Sequence, residues 1–454
     1  MKEKTMIRDL TGGNVRSQLL RYSAPFILAN LLQTVYNLVD MIVVGQFVGK
    51  VGLSAVSIGG DLLNFFTFIC IGFCSAGQVI IAQYVGKQEY GNVKKAIGTF
   101  FTFIMAIAVV FTAVGLIFKD AFLHFMNVPE DAYKQAYEYT VVCSAGLIFV
   151  YGYNIVAAVL RGMGNSKTPL VFVAVAAVVN LILDYILVAF YDAGAAGAAV
   201  ATVFGQGVAF IGAVIYLYRK REQFNFDFKL KSFKIDGKIM GLIVRLGIPM
   251  ALQSCAIIVS ALVVNSFINA YGVVASAVTG VGNKLGNVAS IVTNGLNTAG
   301  ASMVGQNFAA GKQDRMKKIV NLVGIYSLIF AGVLSVIMLA APEAVFGIFD
   351  NSPDVLEMAQ DYVVIAIINF FGFATRAPFL ALINGQGFAA LSFVGGIMDG
   401  VVIRIFLSIF LGKTMGMGIM GFWIGSVVAG YAYGLVGSFY YFTGLWKKRP
   451  LAIK

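Results

Sequence analysis

The stretch VVNLILDYILVAF at residues 178–190 carries two polar side chains inside an otherwise apolar or aromatic run. Asn180 and Asp184 are four residues apart, so in a helix both lie on the same face. A charge inside a membrane costs at least about 2.5–3.5 kcal/mol, so such a carboxylate needs a partner or a wet cavity. Oxygen-bearing side chains that reach the same level are therefore the first candidates for chemistry.

Asp40 and Thr202 are predicted to share that level. Counting along the predicted helices at about 1.5 Å per residue places Asp40, Asp184 and Thr202 roughly 8–10 Å below one membrane surface, with no Lys or Arg nearby. Two carboxylates in a low dielectric cannot both stay ionised unless a cation compensates them, so either a proton or a metal ion is required. An oxygen-only ligand set suits a hard cation. The sequence predicts a site for H⁺ or Na⁺ formed by these three residues and Asn180, with a purely structural polar cluster as the alternative.

The elements that position these residues are predicted to be membrane helices. Of 454 residues 59% are hydrophobic, the mean hydropathy is +0.85 and only 12% are charged, about half the charged fraction of a soluble protein. The apolar residues form blocks near the roughly 20 residues that a helix needs to cross a bilayer. Twelve crossings are predicted, at 20–45, 52–82, 96–118, 134–160, 169–191, 194–218, 240–268, 274–305, 317–341, 357–383, 391–411 and 415–443.

The net charge of +12 is interpreted as a topology signal and not as a nucleic-acid surface. On this topology, with residues at the ends of crossings counted on the adjacent side, 26 of the 33 Lys and Arg lie on one side of the membrane, four on the other and three within crossings. By the positive-inside rule the rich side is the cytoplasm, and it holds both termini. The sequence thus predicts a multi-pass protein of a prokaryotic plasma membrane.

The chain is predicted to be a duplication, because SAVSIGGD at 54–61 matches SAVTGVGN at 276–283. The expected domains are an N-terminal six-helix lobe at 1–218, a cytoplasmic linker at 219–238 and a C-terminal six-helix lobe at 239–454. An even number of crossings makes the two bundles parallel repeats, expected to surround a central cleft. Such paired bundles are typical of alternating-access transporters.

The remaining charges within the predicted crossings have other interpretations. Asp61 and Asn283 occupy equivalent repeat positions, and a contact between Asp61 and the neighbouring Lys284 is a hypothesis for a gate. In the second lobe Asp399, Arg376 and Arg404 are expected to neutralise one another. The four cysteines, Cys70, Cys74, Cys143 and Cys255, all fall inside crossings and indicate neither a disulfide framework nor a zinc site.

The chain resembles the MATE (multidrug and toxic compound extrusion) transporters, and within them the DinF-like branch. The resemblance covers nearly the whole chain and depends on four runs in order: NLVDMIVVG at 37–45, NLILDY at 180–185, GAAVAT at 197–202 and VGQ at 304–306. It implies efflux of cationic or amphipathic compounds in exchange for inward H⁺ or Na⁺. The implied partners are small-molecule substrates and membrane lipids, with no nucleic acid, no cofactor, no catalytic residue and a monomeric state.

The resemblance also assigns roles to individual residues. It implies that Asp40, Asn180, Asp184 and Thr202 form the N-lobe cation-coupling site. It implies that Pro25, which matches Pro249 in the second repeat, lies in a helix that bends. Related transporters of the NorM type carry acids in helices seven and ten. This chain has Gln253 in helix seven instead, so a second-lobe sodium site of that type is not expected.

Three other functions remain open from the sequence. A lipid-linked saccharide flippase of the same superfamily would need a cationic cavity, for which Arg376 and Arg404 are candidates. A membrane enzyme would need clustered His, Asp or Ser, whereas the only histidine, His124, falls in a loop. A channel would show much faster flux.

Overall fold

The computed structural model describes residues 6–126, 128–224, 226–349 and 351–453. Within these residues the secondary structure is helical, without a strand. Twelve long helices dominate: α1 Val15–Phe47, α2 Gly49–Gly86, α3 Tyr90–Ile117, α4 Glu130–Gly162, α5 Lys167–Phe190, α6 Gly194–Arg219, α7 Gly237–Asn269, α8 Val273–Ala309, α9 Gln313–Ala340, α10 Pro353–Gly385, α11 Ala389–Thr414 and α12 Gly418–Phe442. A long helix lies at each of the twelve crossings predicted from the sequence, and its ends are within a few residues of the expected ones.

Eleven of these helices, within the described residues, are long and apolar enough to cross a membrane. The exception, α8, has 37 residues and is long enough, but polar side chains such as Asn283, Lys284 and Asn294 interrupt it. Its repeat counterpart α2 has 38 residues and does qualify. The multi-pass membrane architecture therefore follows from both length and composition.

The duplication is visible in helix lengths. The first four helices of the first half contain 33, 38, 28 and 33 residues, and the first four of the second half contain 33, 37, 28 and 33. Both halves then add two shorter helices, of 24 and 26 residues in the first half and of 26 and 25 in the second. The expected pair of six-helix repeats is therefore present.

Contacts divide the chain into two compact units that differ from the lobes expected from the sequence. Unit 1 comprises residues 1–9 and 28–247, and unit 2 comprises 10–27 and 248–454. The first part of α1 therefore belongs to unit 2, where Leu19 is fully buried in the apolar core.

The segment expected to be a linker between the lobes packs against α3 within unit 1. Lys94 Nζ donates a 2.6 Å hydrogen bond to Asp227 Oδ2, and Thr102 Oγ1 donates one of 2.7 Å to the Phe233 carbonyl. Thr99 Oγ1 accepts a 2.9 Å bond from the Asp236 amide. The hydrogen-bonded ion pair of Lys94 holds the pKa of Asp227 well below its usual range. The described part of 219–238 is thus held against α3 by hydrogen bonds.

Candidate cation site

Three helices of unit 1 bring the four predicted site residues together. Asn180 Nδ2, on α5, donates a 3.3 Å hydrogen bond to Thr202 Oγ1 on α6. The carboxyl groups of Asp40, on α1, and Asp184, on α5, lie within hydrogen-bonding reach of each other, and Asn180 reaches Asp184. The relative exposures of Asp40, Asn180 and Asp184 are 8%, 3% and 1%. The structure therefore places two carboxyls, an amide and a hydroxyl in one buried cluster.

The cluster has more acceptor oxygens than donors. Within the described part of the chain, Asp40 Oδ1, Asn180 Oδ1 and Asp184 Oδ1 are buried and accept no hydrogen bond. No Lys or Arg among the described residues forms an ion pair with either carboxylate. A buried polar atom without a partner costs about 1–3 kcal/mol, and an unpaired charge costs more. Three buried oxygens of this kind suit a proton or an oxygen-preferring cation.

An apolar cluster closes the site on one side. Val44, Val188 and Ala198 lie one helical turn from Asp40, Asp184 and Thr202 respectively, and each is at most 1% exposed. They pack in a cluster that includes Tyr139 and Cys143 of α4. The electrostatic interactions inside the site are strengthened because this layer excludes water from one side.

The opposite side of the site is polar, which was not predicted from the sequence. Tyr36 lies one turn before Asp40, and its hydroxyl is within hydrogen-bonding reach of Gln33 and Gln206. Gln206 lies one turn beyond Thr202. The spacing of four residues between Tyr36 and Asp40 was the available signal, but the chain has 20 tyrosines, so a single tyrosine within a crossing does not stand out.

The backbone changes immediately after Asp184. Residues Lys167–Asp184 are α-helical, whereas Tyr185–Phe190 form a π-helical turn. Such π-turns are frequently found at functional sites. The sequence predicted a single crossing at 169–191. It did not predict the π-turn next to the carboxylate of Asp184.

A glycine permits the close approach of α5 and α6 at the site. A Cβ atom at Gly205 would lie 2.9 Å from the Ala176 carbonyl oxygen and 3.2 Å from Asn180 Cβ. Glycine is required where two backbones approach this closely. Gly205 therefore sets the distance between the helix that carries Thr202 and the helix that carries both Asn180 and Asp184.

The other predicted residues lie apart from this cluster. Pro25 is buried within α1, in the part that belongs to unit 2. Asp61 of α2 is exposed, and Lys284 Nζ of α8 lies 5.2 Å from the centre of the Phe349 ring. Asp61 belongs to unit 1 and Lys284 to unit 2, so their pairing stays a prediction, as does bending at Pro25.

The expected cluster of charges in the second half is present in unit 2. Asp399 Oδ1 accepts a 2.8 Å bond from Arg404 Nη2, and its Oδ2 lies 3.4 Å from Arg376 Nη1. Arg404 Nη1 also donates a 3.2 Å bond to Ser426 Oγ. Asp399 is 1% exposed, so its charge is balanced by these two guanidinium groups.

Fold and site together define a class: internally duplicated, multi-pass helical membrane proteins with a buried polar site in one repeat. A family model, MatE, matches the chain twice, at residues 25–186 and 249–410. The chain belongs to the MatE family, whose members are transporters and not enzymes.

Similar proteins extend over nearly the whole chain. "Probable multidrug resistance protein YpnP" of Bacillus subtilis (strain 168) is 28% identical over 457 residues, covering 98% of both chains. YoeA of the same organism, also described as a probable multidrug resistance protein, is 27% identical over 95% of this chain and 94% of its own.

Two solved structures show the same fold. A MATE protein crystallised in complex with MaD3S is 22% identical, with a TM-score of 0.88 over 97% of this chain and 98% of that one. A MOP-superfamily transporter from Pyrococcus furiosus is 22% identical, with a TM-score of 0.87 over 97% and 98%; it is described as having a binding pocket of reverse polarity that suggests a different function.

Proposed function

We propose that this protein is a cation-coupled antiporter that exports cationic or amphipathic compounds by alternating access, in exchange for H⁺ or Na⁺. The observation that carries the proposal is the buried carboxyl pair of Asp40 and Asp184, with three acceptor oxygens that receive no hydrogen bond within the described residues. Relatives described as multidrug resistance proteins support the substrate class.

The coupling mechanism follows from the charge of the pair. Without a cation, two ionised carboxylates at hydrogen-bonding distance repel, which favours a conformation that separates or hydrates them. A proton lets one carboxyl donate to the other, and Na⁺ would bind the Asp40, Asn180, Asp184 and Thr202 oxygens. Either cation stabilises the compact site, so the two conformations differ in cation affinity. That difference couples the ion gradient to the transport cycle.

The membrane orientation belongs to the same proposal. Both termini lie in the cytoplasm of a prokaryote, since most Lys and Arg fall on that side. Because α1 and α5 then run outward, the apolar cluster around Val44 and Val188 lies toward the outside. The polar side with Tyr36 and Gln206 lies toward the cytoplasm. A reporter fused at the C-terminus and assayed in whole cells and in permeabilised cells tests this orientation.

Efflux from vesicles with separately imposed pH and sodium gradients tests the coupling. We expect Asp40→Asn and Asp184→Asn each to lose gradient-driven transport while retaining substrate binding. The matched control is Asp192→Asn, an exposed acid two residues beyond the π-turn. Its φ of 51° is one that asparagine adopts readily, so the control tests loss of a nearby acid without strain. Retention of gradient-driven transport by both site variants would refute the proposal.

The alternative function of a lipid-linked saccharide flippase was suggested by Arg376 and Arg404. The contacts of these two residues do not support it. Arg376 and Arg404 both hydrogen-bond the carboxylate of Asp399, so neither is a free ligand for a pyrophosphate. The relatives with multidrug descriptions favour drug export.

A further inference from the structure

The first, fifth and sixth helices of the two repeats are related in sequence by an offset of 224 residues. The two matches of the family model begin at 25 and 249 and end at 186 and 410, an offset of 224 residues at both ends. Close backbone contacts obey the same offset. A Cβ at Gly197 would lie 3.3 Å from the Leu187 carbonyl carbon, and one at Gly421 would lie 2.5 Å from that of Leu411. Each repeat therefore packs its fifth and sixth helices in the same register.

This offset pairs Asn180 with Arg404 and Thr202 with Ser426. Asn180 Nδ2 donates to Thr202 Oγ1 at 3.3 Å, and Arg404 Nη1 donates to Ser426 Oγ at 3.2 Å. The fifth and sixth helices of each repeat are thus joined by an equivalent hydrogen bond. Its donor is an amide in unit 1 and a guanidinium in unit 2. Arg404 occupies the position in unit 2 that corresponds to the cation site of unit 1.

The two carboxylates of the site have no counterpart in unit 2. The offset pairs Asp184 with Ser408, which is fully buried, and Asp40 with Val264, which is 1% exposed. Ser408 Oγ donates to the Phe422 carbonyl at 3.3 Å. The positions in unit 2 that correspond to Asp40 and Asp184 therefore carry no carboxylate that would attract a cation.

A π-helical turn places the carboxylate of Asp399 next to the guanidinium of Arg404. Asp399 and Arg404 are five residues apart, which in an α-helix would place them about 140° apart around the axis. Residues Met398–Ile405 form a π-helical turn, in which hydrogen bonds join residues five apart. The turn brings the two side chains onto one face, where they form the 2.8 Å ion pair.

We propose that the Arg404 guanidinium is a tethered cation, which occupies in unit 2 the place that the exchangeable cation takes in unit 1. The proposal rests on the cation-coupled function. A guanidinium neither deprotonates nor leaves, so the charge of unit 2 is constant through the cycle. Only unit 1 then responds to the gradient, and each chain binds one coupling cation.

Cation binding to purified full-length protein tests the stoichiometry. Radioactive sodium is used at alkaline pH, and proton release without sodium is followed with an indicator dye. We expect one cation equivalent per chain, abolished by Asp184→Asn. The triple variant Val264→Asp, Arg404→Asn and Ser408→Asp rebuilds the site of unit 1 in unit 2, and it should bind two equivalents. In the Asp184→Asn background the triple variant should bind one equivalent.

One control variant and a test of folding accompany the experiment. Arg404→Lys retains a tethered cation, so it should still bind one equivalent. Melting and size-exclusion profiles establish that the triple variant is folded, and Arg404→Asn with Ser408→Asp is the milder variant if it is not. If the triple variant is folded and binds only one cation equivalent, the proposal is overturned. A second cation in the wild type that Ser426→Ala removes would also overturn it. Unchanged binding in Asp184→Asn alone would instead refute the proposed function.

Discussion

Gly205→Ala is expected to weaken cation coupling by moving the site without changing any of its polar groups. The new Cβ would lie 2.9 Å from the Ala176 carbonyl oxygen, whereas ordinary contacts begin at 3.4 Å. The helices must therefore separate by about 0.5 Å at the level of Asn180, since a backbone atom cannot move aside. Overpacking of this kind costs about 1–3 kcal/mol.

The displacement should affect cation affinity more than substrate affinity. A 1 Å misplacement at a functional site can cost about a hundredfold, so about 0.5 Å should weaken the apparent cation affinity about tenfold. The assay is efflux from vesicles at graded sodium or proton concentrations, with melting temperature measured in parallel.

Gly207→Ala is the matched control on the same helix. The nearest atoms to a Cβ at Gly207 would be those of the Phe149 ring, at 3.6 Å or more. Alanine also favours helix over glycine by about 1 kcal/mol, so this variant should be neutral or slightly stabilised. If the two variants have the same cation affinity within about twofold, the close approach of α5 and α6 does not set the geometry of the site.

Three further predictions concern the site and the docked segment. Thr202→Val should reduce cation affinity about tenfold or more, because a ligand oxygen to a charged group is lost, whereas Thr202→Ser should stay near wild type; equal effects in the efflux assay would exclude Thr202 as a ligand. The lowered pKa of Asp227 means that its bond to Lys94 stabilises the fold at neutral pH and is lost as the pH falls from the ordinary aspartate range toward the lowered value. The melting-temperature difference between wild type and Asp227→Asn should therefore stay constant from pH 7 down to the ordinary aspartate range and shrink below it, and a difference that stays constant below that range would contradict the assignment. Gly98→Ala would place a Cβ against the Ser232 carbonyl oxygen and should release the segment to proteolysis, whereas Gly91→Ala, with open space around it, should not.

The membrane helices and the clustering of the four candidate-site residues could be predicted from the sequence because both depend on local patterns. Apolar blocks of sufficient length define crossings, and a carboxylate inside such a block is conspicuous. The spacing of Asn180 and Asp184 places both on one face of α5 whatever its neighbours are. Counting residues from the helix ends then predicted that Asp40 and Thr202 lie at the same membrane depth as Asp184.

The features that the sequence did not predict depend on contacts between distant segments. The hydroxyl of Tyr36 reaches Gln206 only because α1 and α6 pack together, and no pattern in either helix indicates that. The segment 219–238 is polar and resembles a free linker, yet Asp227 and Phe233 hold it against α3. The π-turns have no composition signal, since Tyr185–Phe190 consists of ordinary apolar and aromatic residues.

The π-turn after Asp184 separates two registers within one helix. Before the turn, α-helical spacing fixes Asn180 relative to Asp184; beyond it, Val188 must still reach the apolar cluster. Deletion of one residue within 185–190 would remove the residue that the π-turn absorbs, so the helix would wind regularly while Asp184 and the side chains beyond the turn kept their directions. A single-residue insertion or deletion at this rim of the bundle can therefore be absorbed by the turn without displacing the carboxylate beneath it.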